Sequence, residues 1–123
     1  MHLALWIVQT VLALLFLAAG AMKLTKSKED LRADMAWVED VSPAQVKAVG
    51  AVEVAAALGL VLPAATGILP VLTPLAAAGL VIVMVLAAAT HLRLDEASKV
   101  PPNVVLGALA LFVAIMRFGP EAF

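Results

Sequence analysis

The chain contains no cysteine at all. That excludes disulfides, thiolate nucleophiles, Cys-ligated clusters and any thiol relay of its own, so a redox role would have to borrow another molecule's chemistry. Charge is scarce too: 14% of the 123 residues are Asp, Glu, Lys or Arg, against 64% hydrophobic. A water-soluble domain of this size has too much surface for that composition, since soluble chains run about 45–50% apolar and about 25% charged. The chain is therefore an integral membrane protein. Eight basic against nine acidic residues give a net charge of -1, which provides no basic field for nucleic acid. With 2 His and no ligand spacing of the His-x-x-x-His kind, no metal site is expected.

What is present is four long apolar runs. A helix needs about 20 mostly apolar residues to cross a bilayer core, and such runs fall at about residues 3–24, 43–62, 71–92 and 103–118. The expected fold class is an all-α four-helix membrane bundle, a single domain over residues 1–123. The last run is the shortest, about 24 Å long, and should stand near the membrane normal. Two Pro and one Gly without charge at residues 63–70 mark a tight turn, Pro101-Pro102 precedes the fourth span and Gly119-Pro120 closes it. Pro74 falls in the first turn of the third run or kinks it. Ser42-Pro43-Ala44-Gln45 reads as a helix start, with Ser42 as cap, Pro43 at the first helical position and Gln45 reaching back.

Residues 26–40 hold most of the charge. Leu31, Met35 and Val38, with Trp37 nearby, form a short apolar stripe. It fits an amphipathic helix lying in the headgroup layer, and a solvated loop is the other reading. Lys23, Lys26, Lys28, Arg32 and Lys47 flank the first connection, Arg93 and Lys99 lie in the third, and Arg117 alone stands on the opposite side. By the positive-inside rule the first and third connections face the cytoplasm and both termini face out. Residues 3–21 resemble a signal peptide only in their small-residue end; lacking a basic start, they are expected to be a span.

Ionisable groups inside hydrocarbon are costly, so each raises a question of function. Glu53 lies near the middle of the second span, too deep for its short side chain to reach the headgroups, and must face the bundle. It is either neutral and donating a hydrogen bond or ionised against a cation from another helix. Lys23, His91 and Asn103 end or open other spans on that side, although Glu53 sits about 10 Å deeper than Lys23 on helices with level ends. Gln9 shares a helix face with Phe16, Gly20 and Lys23, a polar stripe that could line a cavity. The candidate ligand-binding set is therefore Gln9, Phe16, Glu53 and Asn103; in an enzyme, Glu53 would act with Lys23 and His91.

Plainer roles compete with these. Lys47, Arg93 and Arg117 are expected to be interface anchors, a role open to Lys23 as well. His91 bonded to a backbone carbonyl, Gln9 and Asn103 as helix-joining or capping groups, and Trp6 and Trp37 in the interface belt are the structural alternatives. The small residues Ala18 to Ala21, Ala55 to Gly59, Ala76 to Gly79 and Ala87 to Ala89 are expected to form the helix contacts, and some of their faces could meet a partner protein or a second copy.

Gly20-Ala21-Met22-Lys23-Leu24, Gly50-Ala51-Val52-Glu53 followed by Ala57-Leu58-Gly59-Leu60, Thr90-His91 and Pro102-Asn103, in that order over almost the whole chain, resemble the DoxX-like family of small four-span bacterial membrane proteins. The resemblance implies a subunit of the bacterial inner membrane, often linked with oxidoreductases or with sulfur and quinone metabolism, and puts the family's polar set on Lys23, Glu53, His91 and Asn103. No cofactor is evident from the residues themselves; a quinone fits the resemblance. Two functions follow as expectations. One is a non-catalytic protein that binds a small lipophilic molecule of quinone or lipid type, or anchors a partner oxidoreductase. The other is a small membrane isomerase or cyclase with Glu53 as general acid/base. A proton-coupled transporter would need an oligomer.

Overall fold

The computed structural model describes residues 1–31 and 42–122. Among them are α1 (His2–Thr25), the single turn α2 (Lys28–Leu31), α3 (Pro43–Thr66), α4 (Leu72–Arg93), a 3₁₀ turn (Ala97–Lys99) and α5 (Val100–Phe118), with no strand. The four long helices are long and apolar enough to cross a membrane. They form a ring in which α3 packs between α1 and α4, α4 beside α5, and a thinner seam closes α5 on α1. Both termini and the α3–α4 turn lie at one end, the terminal end; the other, basic, end carries Lys23, Lys47, Arg93 and Lys99.

Buried positions recur at steps of three and four. They are Leu5, Gln9, Leu12, Phe16, Gly20 and Lys23 on α1, and Val46, Gly50, Glu53, Ala57 and Leu60 on α3. This is the seam spacing of helices packed at a shallow crossing angle. Glycine sets how close they come. A Cβ on Gly20 would lie 2.6 Å from the Gly50 carbonyl oxygen, and one on Gly50 would lie 2.8 Å from Lys23 Cβ, so only glycine allows the backbones to meet here. Of the alanine runs, Ala57 and Ala77 are core, whereas Ala18, Ala21, Ala55 and Ala89 are exposed.

The start of α3 is as expected. Ser42 accepts a hydrogen bond from the Gln45 N–H and the Gln45 side chain accepts one from the Ser42 N–H, with Pro43 in the first turn. The end of α3 is not where the sequence placed it. The helix runs through Pro63 to Thr66 and stops at Gly67, whose φ of 74° is the left-handed value that a glycine supplies without strain. Proline has no N–H for the carbonyl four residues earlier. That carbonyl is Gly59, and Thr73 Oγ1 of α4 donates to it at 3.1 Å. A side chain from the next helix replaces the missing bond, so Pro63 does not end the helix. Pro74 sits in the first turn of α4, and α5 begins at Val100 with the two prolines in its first turn, three residues before the expected start.

Of the stripe in residues 26–40, Leu31 is buried at the end of α2; Met35, Trp37 and Val38 lie outside the described residues. Leu3, Ile7, Val11, Leu14 and their counterparts on the other helices form an exposed apolar belt, the surface that hydrocarbon covers in a spanning bundle.

Candidate functional site

Lys23 Nζ lies 2.7 Å from Glu53 Oε1, and Glu53 is 3% exposed. The contact is a buried ion pair that joins α1 to α3. The depth difference expected between the two residues is removed by a stagger of the helices. Lys23 packs at the level of Gly50, and Lys47 Nζ donates to the Leu24 carbonyl at 2.9 Å. The start of α3 therefore projects beyond the end of α1 by about one helical turn, and the lysine stem spans the remaining turn to Glu53.

Beside this pair is a cavity of about 690 Å³, whose polar lining includes Lys23, Glu53, Thr90, His91, Lys99 and Asn103. Its apolar wall includes Leu15, Phe16, Val52, Met84, Leu86 and Leu106. All four main helices contribute. At its polar edge His91 Nδ1 lies 3.2 Å from Glu96 Oε1, and Lys99 Nζ lies 2.9 Å from Glu96 Oε2. A carboxylate only accepts, so the His91 proton is on Nδ1 and Nε2 is what remains for any other partner. The Lys99 hydrogen bond, followed by the His91 one, holds the Glu96 carboxyl below its usual range. Asn103 donates to the Lys99 carbonyl at 3.2 Å and fixes the start of α5. His91 is thus tied to a carboxylate and not to a backbone carbonyl.

Of the sequence candidates, Phe16, Lys23, Glu53, His91 and Asn103 share this cavity and Gln9 does not. Gln9 belongs to a second cluster at the terminal end. Its Nε2 donates to the Leu60 carbonyl at 2.7 Å and its Oε1 accepts from Arg117 Nε at 2.8 Å. Arg117 Nη1 lies 3.0 Å from His2 Nδ1 and donates to the Glu121 carbonyl, while Trp6 Nε1 donates to His2 Nε2 at 3.1 Å. The Arg117 guanidinium also stands 6.0 Å from the Trp6 ring centre. Arg117 is 2% exposed, so the expectation that it is an interface anchor is corrected. The side chain runs inward to the Gln9 amide, an acceptor that the hydrocarbon of the bilayer does not offer. Its spacing from Ala110, Val113 and Ala114, the buried face of α5, was the available signal. His2, Thr73 and Glu96 carried none, since each acts through a contact distant in sequence or specific to a turn.

No curated protein and no solved structure matches this chain. A match to the sequence profile of the DoxX-like family does extend over residues 7–113, taking in the greater part of each of the four spanning helices and every polar residue of the cavity, and on that match the chain belongs to the DoxX-like family.

Proposed function

We propose that this membrane protein holds a small lipophilic molecule of quinone or lipid type in the cavity beside Lys23 and Glu53. The observation that carries the reading is the combination of about 690 Å³ of space with a largely aliphatic wall and a few polar groups gathered toward one end. That size and mixture are those of small-molecule sites, in which the apolar surface supplies affinity and a few polar groups fix orientation. Lys23 would donate to a carbonyl oxygen of the ligand, while Glu53 or His91 Nε2 would accept from a hydroxyl. The positive-inside rule supports a cytoplasmic side for the basic end, and a bacterial inner-membrane location is the reading that goes with the family. Since the chain lacks cysteine, single cysteines introduced at the two ends and labelled with an impermeant maleimide test that orientation.

Binding is tested with a decyl-substituted benzoquinone titrated into the detergent-solubilised protein and into Ala87→Phe, which fills the cavity wall. Saturable binding lost in Ala87→Phe, with the variant still folded, supports the reading. Equal binding by both proteins overturns it.

The enzyme reading is favoured by one observation, a buried carboxylate paired with a lysine on the wall of the cavity. A group in that position is available to move a proton at a bound apolar substrate. Product formation unchanged in Glu53→Gln would remove it.

A further inference from the structure

We propose that the cavity opens sideways into the hydrocarbon of the leaflet at the basic end, and that its ligand is a long-chain amphiphile with an uncharged head drawn from that leaflet. The proposal rests on the ligand-binding reading above and adds the route and the class of molecule.

The first observation is an asymmetry of burial. On α1 and α3 the buried positions run nearly the full length, to Lys23 and Val46 at the basic end. On α4 they are Thr73, Pro74, Ala77, Leu80 and Met84, and on α5 Ala110, Val113, Ala114 and Arg117. Nothing on α4 is buried after Met84, and nothing on α5 before Ala110. The α4–α5 pair is therefore packed into the bundle only in its terminal half, where the Thr73–Gly59 and Arg117–Gln9 bonds fasten it. Toward the basic end the two helix pairs part, and the cavity occupies the space between them.

The second observation is the character of the mouth. Leu15, Val52 and Leu86 line the cavity and are nonetheless 49%, 52% and 62% exposed. We take these residues, which line the cavity and keep about half or more of their surface exposed, as the rim where it meets the outside. By position along their helices these three lie about 10–15 Å in from the basic-end termini. In a bundle spanning a core of about 30 Å, that depth is hydrocarbon and not headgroup or water. An aliphatic mouth at that depth admits a chain. The head must then reach inward to Lys23, Glu53 and His91.

Charge limits the head. Lys23 is matched by Glu53 and Lys99 by Glu96, so a charged head would add an uncompensated charge at low dielectric. An uncharged head with hydroxyl or carbonyl groups adds none.

The test uses Phe16→Trp, a reporter on the cavity wall, in a Trp6→Phe/Trp37→Phe background reconstituted into phosphatidylcholine vesicles with brominated acyl chains. Leu106→Trp is the second reporter should Phe16→Trp not fold. Bromine quenches indole on contact, so we expect most of the reporter emission to be lost to brominated chains, the loss to be reversed by Ala87→Phe, and aqueous iodide to have no effect. A brominated monoacylglycerol should compete with the decyl-benzoquinone, and a brominated fatty acid anion should not. Quenching by iodide in place of lipid, no quenching by either, or lipid quenching that persists in Ala87→Phe would each overturn lateral opening, while quinone binding in detergent would still stand. Competition by the fatty acid anion as strong as by the monoacylglycerol would overturn the uncharged head.

Discussion

Each end of this bundle has a buried polar cluster, and the two differ in what lies beside them. At the terminal end, Arg117, Gln9, His2 and the Leu60 and Glu121 carbonyls bond to one another in a chain of contacts of 2.7–3.0 Å. At the basic end, Lys23 and Glu53 make one ion contact next to about 690 Å³ of space. Buried charge in a membrane helix therefore does not by itself mark a working site. The terminal cluster joins α1, α3 and α5, whereas the basic one has room for a further molecule to bond to it.

The comparison breaks most readily at the ion pair. Glu53→Leu leaves Lys23 buried without its partner and should cost about 3–5 kcal/mol, whereas Lys23→Met/Glu53→Leu should recover most of it. Both are read from unfolding in micelles. Loss of ligand binding in the double variant, with stability kept, would separate the two roles of the pair.

Gln9→Leu strips the Arg117 Nε–H and the Leu60 carbonyl of a partner at once and should cost about 3 kcal/mol. Quinone binding should be unchanged, because Gln9 is outside the cavity. A fall in affinity without a fall in stability would erase the distinction between the clusters.

Thr73→Val should cost about 1–2 kcal/mol by leaving the Gly59 carbonyl unbonded. In a Pro63→Ala background the helix supplies its own N–H to that carbonyl, and the Thr73→Val penalty should shrink. An equal penalty in both backgrounds would show that Thr73 does not stand in for the proline.

The smallest effect expected is on the α4–α5 connection. The Glu96 carboxyl is held below its ordinary value of 4.5 by Lys99 and then His91, so its contribution is present above that value and is lost as pH falls through the lowered one. Hydrogen-exchange protection in residues 94–99, taken relative to the intrinsic exchange rate at each pH, should fall below pH 4.5, and should do so less in Glu96→Gln, which has no carboxylate to lose.

Much of this was legible in the sequence. Four spans, the Ser42 to Gln45 cap and the inward Glu53 follow from hydropathy, capping chemistry and the cost of a charge in hydrocarbon. The shared location of Lys23, His91 and Asn103 follows from span ends on one side. The Lys23–Glu53 contact was not legible, because counting residues from helix ends assumes level ends and the stagger at Gly20 and Gly50 removes that assumption. Arg117 was misplaced for a related reason: its position near a span end is that of an interface anchor, while its true partner is more than a hundred residues away. Pro63 misled because the rule that proline ends a helix concerns local bonds, and Thr73 supplies a nonlocal one.

The most direct test of the central claim is the carboxyl band of Glu53, assigned as the infrared difference between wild type and Glu53→Gln, recorded with and without the decyl-benzoquinone. If Glu53 belongs to a ligand site, its band shifts when the quinone is added and returns when Ala87→Phe closes the space. A band that ignores every added amphiphile would mean that the Lys23–Glu53 pair only holds helices together, as the Gln9–Arg117 cluster does.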